Sequence, residues 1–383
     1  MTIAVNTRLL IANKLSGIGW FSFHTLKRLI KNNPQHRFVF IFDRNFDPQF
    51  IFGPNVIPEV VYPPTRHPIL QYLWFEYAIP AVIRKHKADI FYSPDGYLSL
   101  RLKDTPMLDV IHDINFHHNP KDVPFADRLY FRHFFPKYAR TANRILTVSE
   151  YSRTDISETY NIPPDKIDVT CNGANDIYFP LTDEEKRKIR NEYTSGSHYF
   201  IYIGGQLPRK NIARMLLAFE KYKKVSGSDL KFIIVGDKVC KTADIEAVYR
   251  KSEFRDDIIF TGHVPSDKLR FLLCSALALI LVSYYEGFGI PVIEAMYADV
   301  PVITSNVTSL PEIAGDAAML VDPYSIDAIA DAMGTLEKDS HFRQTLIDKG
   351  RIQRSKYTWD KAATAIWQSI ELTLSDNNRF NKK

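Results

Sequence analysis

Short runs of consecutive apolar residues alternate along the whole chain with longer stretches in which apolar positions recur every three or four residues. That is the pattern of parallel strands buried on both faces and covered by helices. In the first half the runs predict strands at about 3–6, 38–42, 90–92, 107–111 and 144–148, with helices between them that include 20–31 and 72–85. A charged stretch, Asp183-Glu184-Glu185-Lys186-Arg187-Lys188, follows Tyr178-Phe179-Pro180, and the alternation then begins again at about 199–203, 232–235, 258–261, 277–282 and 302–304. A βαβ series that restarts after a polar connector predicts two α/β domains, with the change near residues 172–196. The expected limits are 1–175, 176–360 and a C-terminal helix and tail at 361–383. The last helical segment, 359–374, is able to pack on either domain.

A chain of 383 residues suits two domains at roughly 100–200 residues each. With 45% hydrophobic and 24% charged residues and no long single-sign tract, both halves can bury a core. Cys171, Cys240 and Cys274 are too far apart for a zinc ribbon or a redox pair, which fits a reducing compartment and a cytoplasmic protein. Met1-Thr2-Ile3-Ala4-Val5-Asn6 reads as a first strand and not as a signal peptide. The longest apolar run, 276–282, is far short of the ~20 residues that span a bilayer. The formal net charge of +5 favours anionic partners such as phosphates or an acidic membrane surface. No zinc-finger spacing, RNA-binding aromatic signature or basic recognition helix is present, so nucleic acid is not an expected partner. Tyr72, Leu73, Trp74, Phe75 and Tyr77, followed by Arg84, Lys85 and Lys87, form either a surface that meets lipid head groups or a core-facing helix.

Four segments carry candidate chemistry. In Ser283-Tyr284-Tyr285-Glu286-Gly287-Phe288-Gly289-Ile290-Pro291-Val292-Ile293-Glu294-Ala295-Met296 a buried strand passes through a glycine turn into a helix. Gly287 and Gly289 let the backbone approach a ligand, Pro291 suits a first helical turn, and the helix N-terminus favours negative charge. Glu286 and Glu294 flank the turn as acceptors for ribose and hexose hydroxyls; the apolar neighbours of Glu294 argue against simple exposure. In Ile203-Gly204-Gly205-Gln206-Leu207-Pro208-Arg209-Lys210-Asn211 two cations sit at a helix start, where they oppose the helix dipole unless an anion such as a diphosphate joins them. A solvated Arg-Lys pair is the ordinary alternative. Asp109-Val110-Ile111-His112-Asp113 ends a strand, where open α/β sheets place ligand-contacting side chains. His117 and His118 stand at no familiar metal-ligand spacing from His112, so no metal is expected. Ser16-Gly17-Ile18-Gly19-Trp20 follows the first strand but has Ser22 where a dinucleotide fingerprint has its third glycine.

Together these segments resemble glycosyltransferase family 4, the large retaining family of the GT-B fold, in which two Rossmann-like domains face each other across a cleft. The most specific part is Glu286, seven residues, Glu294, followed by Pro301-Val302-Ile303-Thr304-Ser305-Asn306 and Ser309-Leu310-Pro311-Glu312-Ile313-Ala314-Gly315-Asp316-Ala317-Ala318; Val148-Ser149-Glu150-Tyr151-Ser152 and Asn172-Gly173-Ala174-Asn175 are further landmarks. The resemblance implies an N-terminal acceptor-binding and a C-terminal nucleotide-sugar-binding domain. It implies that Arg209 and Lys210 bind the donor diphosphate, Glu294 the ribose, and Glu286 with the Gly287–Gly289 amides the transferred sugar. His112 would contact that sugar near its reacting carbon, and Phe288, Gly17, Gly204 and Gly205 would complete the donor-binding set. Two positions depart from the family: Asp299 replaces a common glycine before the Val-Pro strand, and Ser16 replaces one in the first loop. Tyr-Glu-Gly-Phe-Gly with Ser-Leu-Pro-Glu is similar to mannosyltransferases of bacterial surface polysaccharide assembly. GDP-mannose is then the first-choice donor ahead of a UDP-linked sugar. The acceptor is a saccharide or a lipid-linked saccharide at the inner face of the cytoplasmic membrane, and no cofactor or metal ion takes part. The competing readings are a nicotinamide-dependent Rossmann enzyme and a non-catalytic sugar-nucleotide-binding protein.

Overall fold

The computed structural model describes residues 1–239 and 242–380, the side chains of 377–380 excepted; Cys240 lies outside the described residues. The chain forms two compact units, Met1–Asn172 together with the segment that starts at Trp359, and Gly173–Thr358.

The first unit is built on a seven-stranded parallel sheet of Thr2–Asn6 (β1), Arg37–Phe42 (β2), Val56–Val60 (β3), Ile90–Ser93 (β4), Met107–Val110 (β5), Arg144–Thr147 (β6) and Ile167–Val169 (β7), in the order β3-β2-β1-β4-β5-β6-β7. The central strands read as near-continuous apolar runs because helices cover both faces. The helix Gly17–Asn32 follows β1 and is capped by Ser16, whose Oγ accepts the Gly19 N–H at 3.3 Å. Ser16 thus has a local helical role at the position where glycine was expected.

The helix predicted over 72–85 is three pieces. An α-helix, Pro68–Leu73, runs into a π-helical turn, Trp74–Ala78, and then into a second α-helix, Ile79–His86. Pro80 has no amide to donate and its ring crowds the preceding turn, while the Ile79 N–H reaches the Trp74 carbonyl in the wider π register. Trp74 and Phe75 are fully buried, and the Trp74 indole donates to the Val61 carbonyl at 2.8 Å. The aromatic stretch therefore does not form one lipid-facing strip: its centre belongs to the core, and only Leu73 and Tyr77 stay exposed. Lys85 pairs with Glu59 at 2.7 Å.

The C-terminal helix Trp359–Phe380 packs on this first unit. His24 stacks on Trp359 with centroids 4.8 Å apart, the Ala362 carbonyl accepts from Thr170, and Arg144 pairs with Asp376 at 3.1 Å.

The second unit has a six-stranded parallel sheet of Tyr199–Ile203 (β8), Lys231–Val235 (β9), Ile258–Gly262 (β10), Ala278–Leu281 (β11), Val302–Ser305 (β12) and Met319–Val321 (β13), ordered β10-β9-β8-β11-β12-β13. The order steps outward on both sides of β8, as in doubly wound sheets, so the loops after β8 and β11 leave adjacent strands side by side. Asp299 takes a left-handed φ of 55°, and its carboxylate receives Arg351 at 2.6 Å and Arg354 at 3.4 Å. Aspartate tolerates that backbone better than most residues, and two guanidinium contacts compensate for the missing glycine. Among the described residues no helix is long and apolar enough to cross a membrane.

Candidate functional site

The loop after β8 needs glycine for close approach. A Cβ on Gly236, at φ 132°, would come within 2.0 Å of the Gly204 carbonyl, so the two strand ends touch through backbone alone. Pro208–Lys210 then form one 3-10 turn, and Asn211 at φ 61° turns the chain into the helix Ile212–Ser226. The Asn211 amide donates to the Val282 carbonyl at 2.9 Å and to the Pro323 carbonyl at 2.8 Å, tying this loop to the one after β11. Further ties are Tyr284 N–H to the Arg209 carbonyl at 2.8 Å and Arg209 Nη1 to the Tyr285 carbonyl at 2.8 Å.

These ties bring together three of the predicted site residues. Arg209 Nη1 donates to Glu286 Oε2 at 2.9 Å, and Lys210 Nζ pairs with Glu286 Oε1. The anion that joins the two cations in this structure is thus the Glu286 carboxylate itself. Burial alone would raise its pKa, but Lys210 and Arg209 outweigh that and hold it down at about 2, so the group stays ionised. Its oxygens are further fixed by Ser283 Oγ at 2.8 Å.

The loop is also held by hydroxyls whose role the sequence does not reveal. Ser305 donates to the Ser283 carbonyl at 2.6 Å, Ser309 donates to the Glu286 carbonyl at 2.9 Å, and Thr308 Oγ1 accepts the Glu286 N–H at 3.3 Å. These residues lie in and beside the Pro-Val-Ile-Thr-Ser-Asn and Ser-Leu-Pro-Glu strings, which gives those strings a physical purpose. Gly289 stands before the helix Ile290–Tyr297 at φ 93°, and a Cβ there would meet Leu310 Cδ2 at 2.7 Å. The Phe288 ring is buried edge-on against Tyr357 at 5.5 Å, so it shapes the turn from inside.

Glu294 sits apart from this trio. Among the described residues its polar neighbour is the Tyr178 hydroxyl, and burial pushes its pKa up to about 7. The two glutamates of the signature are therefore chemically different: Glu286 is a fixed anion and Glu294 a carboxyl whose pKa burial raises towards neutrality. Such a group both donates to and accepts from vicinal hydroxyls.

In the first unit, His112 follows β5 and its Nε2 lies 2.9 Å from the Pro94 carbonyl. A carbonyl only accepts, so the proton is on Nε2; burial lowers the His112 pKa, and in the neutral ring Nδ1 remains an acceptor. Phe21 meets the ring edge-on at 4.8 Å and fixes its plane. Gly17 begins its helix with nothing within 4 Å of where a Cβ would stand. His118 pairs with Asp155 at 2.7 Å, and no group of three or more His, Cys, Asp or Glu able to hold a metal ion is found among the described residues.

Residues 15–176 match the family described as Glycosyltransferase Family 4, and residues 183–353 match Glycosyl transferases group 1. The O-antigen chain mannosyltransferase B of Escherichia coli is 32% identical over 292 residues, which is 76% of each chain. The O-antigen chain mannosyltransferase RfbU of Salmonella typhimurium is 30% identical over 228 residues, 60% of each chain. Among solved structures, sucrose-phosphate synthase from Thermosynechococcus elongatus superposes with a TM-score of 0.79 at 18% identity, over 98% of this chain and 99% of its own. That likeness extends across both Rossmann-like units and gives the GT-B fold. The sequence relationship goes further than the fold: the chain belongs to glycosyltransferase family 4 and is a glycosyltransferase.

Proposed function

We propose that this enzyme is a retaining hexosyltransferase that moves mannose from GDP-mannose to a saccharide or lipid-linked acceptor in surface polysaccharide synthesis. The observation that carries the reading is the meeting of Arg209 and Lys210 on the single carboxylate of Glu286, beside the glycine turn that opens the helix Ile290–Tyr297. Two cations share one anion there. A donor diphosphate offers more charged oxygens than a carboxylate does, so it takes over both cations and leaves Glu286 to accept from the hydroxyls of the transferred sugar. Negative charge on the diphosphate grows as the glycosidic bond breaks, and cations already fixed in place stabilise that state more than the bound donor. The near-neutral carboxyl of Glu294 suits the ribose diol. For His112 we propose an acceptor contact to the sugar through Nδ1, the only ring nitrogen left with a lone pair.

The choice of mannose leans on the Escherichia coli and Salmonella relatives, both of them mannosyltransferases. In this reading the N-terminal unit holds the acceptor, the C-terminal unit the nucleotide sugar, and the enzyme works peripherally on the inner face of the cytoplasmic membrane. Arg209 and Lys210 supply the charge neutralisation that a divalent ion supplies elsewhere, so the reaction proceeds without a metal. A panel of GDP- and UDP-linked sugars, assayed for slow release of the nucleoside diphosphate in EDTA, tests this. GDP-mannose should turn over fastest and without added metal. Preference for another donor would overturn the choice of mannose, and a strict manganese requirement would overturn the role given to the two cations.

A further inference from the structure

In the first unit the order β3-β2-β1-β4-β5-β6-β7 reverses between β1 and β4: the strands step outward from β1 on one side and from β4 on the other. At such a reversal in an open parallel sheet the loops leaving the strands diverge, and polar side chains gathered at the carboxyl ends are placed to meet a ligand. Here β1 ends at Asn6 and runs on to Arg8, β2 runs on to Asp43 and Arg44, and β4 runs on to Asp95. All of them stand at that edge of the sheet.

The four charged residues form one connected group. Arg8 Nε donates to Asp95 Oδ2 at 2.6 Å, and the Asn6 amide donates to Asp95 Oδ1 at 2.8 Å. Arg44 Nε and Nη2 donate to the two oxygens of Asp43 at 2.7 and 2.6 Å. Thr65 joins the two pairs, since its hydroxyl donates to Asp43 at 2.7 Å and accepts from Arg8 Nη1 at 3.5 Å. The group is layered by charge. The Asp43 and Asp95 side chains are 0% and 2% exposed and those of Arg8 and Arg44 9% and 28%, so the anions lie inside and the cations outside. A guanidinium has five N–H donors, so both arginines keep donors to spare, and Arg44 Nη1 meets no protein acceptor among the described residues. The Tyr97 ring, 4.4 Å from the Arg8 guanidinium, backs that group and fixes its plane. The loop after β4 also reaches His112: Nε2 of that ring donates to the carbonyl of Pro94, the residue before Asp95. Consecutive residues thus hold His112 and Arg8.

We propose that Arg8 and Arg44 recognise the acceptor, and that what they bind is an uncharged sugar ring, through its hydroxyl or acetamido oxygens, in preference to a phosphorylated one. The inference rests on the reading of the first unit as the acceptor side and names the chemistry of that side. Charge balance decides the class. Arg209 and Lys210 share one carboxylate and have positive charge left for a diphosphate, whereas Arg8 and Arg44 each hold a carboxylate of their own. Their outer N–H groups are strong donors with no net charge behind them, which suits a neutral oxygen; a phosphate would face the buried charges of Asp43 and Asp95 as well.

The test is saturation-transfer NMR of the full chain, with GDP present, on two sets of probes. One set is the methyl α-glycosides of mannose, glucose, galactose and N-acetylglucosamine; the other is the monophosphates of mannose and glucose. Wild type should transfer saturation to at least one neutral glycoside and bind it more tightly than either phosphorylated sugar. Arg8→Lys and Arg44→Lys keep a cation for each buried carboxylate but give up the spare planar donors, so each should raise the Kd of that glycoside roughly tenfold, the loss of one charge-assisted hydrogen bond. Thermal unfolding of both variants should match wild type. Their affinity for GDP, read by calorimetry, should match it too, and it reports on the donor assignment separately. No transfer to any neutral glycoside, tighter binding of a phosphorylated sugar, or unchanged glycoside Kd values in both lysine variants would overturn the acceptor subsite.

Discussion

Replacing Glu294 by glutamine removes a buried carboxyl whose charged form the fold disfavours. Burial raises its pKa from 4.5 to about 7. At 1.36 kcal/mol for each tenfold change in proton affinity that is worth at most about 3.4 kcal/mol, and because the residue keeps some solvent contact about 1–2 kcal/mol is the expected size. The sign follows from proton binding. With the folded pKa above the unfolded one, the folded state holds the extra proton between pH 4.5 and 7, so stability is undiminished below pH 4.5, declines up to about pH 7 and is flat beyond. Glutamine does not titrate and its amide oxygen can still face the Tyr178 hydroxyl. Urea unfolding at pH 5 and pH 8 should therefore give nearly equal stabilities at pH 5, with Glu294→Gln more stable by about 1–2 kcal/mol at pH 8. If the carboxyl also serves the ribose, the same variant should bind GDP roughly tenfold more weakly, the loss of one charge-assisted hydrogen bond. Stability curves of variant and wild type that run parallel from pH 5 to 8 would refute the reasoning, because they would mean that Glu294 titrates as an ordinary carboxyl.

Arg209→Ala and Lys210→Ala should each lower kcat by roughly a hundredfold to a thousandfold, with a smaller effect on donor KM, because their target charge is largest in the transition state. Steady-state kinetics on the best donor reads this, and normal turnover in both would remove the diphosphate from this loop. At Asp299 the left-handed backbone predicts that Asp299→Ala is less stable than Asp299→Gly by about 1 kcal/mol, since both lose the arginine contacts but only alanine keeps the backbone strain. Thermal denaturation of the two variants side by side would show it, and equal melting temperatures would mean the turn relaxes.

The strands legible in sequence are those buried on both faces, such as β1, β8 and β11, where apolar residues run unbroken. The three that escaped notice, β3, β7 and β13, stand at sheet edges. β3 reads Val-Ile-Pro-Glu-Val, with a proline and a glutamate interrupting the apolar run, and β7 and β13 have three residues each, too short to show a period. The candidate site divides in the same way. Its strand–glycine–helix loops are local features and can be read from neighbours in sequence. The pairing of Arg209 and Lys210 with Glu286 joins positions 76 and 77 residues apart, and the hydroxyl ties from Ser305, Thr308 and Ser309 come from another strand and loop. Nothing in the spacing of a serine announces which carbonyl it will hold. The aromatic stretch at 72–77 left a lipid-facing and a core-facing reading open, and the π turn beside Pro80 divides it, sending Trp74 and Phe75 inward and leaving Leu73 and Tyr77 outside.

The proposed function requires that the donor sugar is transferred with retention and that Glu286 holds hydroxyls and does not attack the anomeric carbon. In the proposed mechanism the diphosphate takes Arg209 and Lys210 from Glu286, which then accepts from sugar hydroxyls, so the departing diphosphate accepts the proton of the incoming hydroxyl on the same face of the sugar and no covalent glycosyl-enzyme should form. Proton NMR of the product formed from an α-linked nucleotide sugar, recorded before any mutarotation, measures this directly. The account predicts an α-linked product from the first spectrum onward, whereas a β-linked product would contradict it.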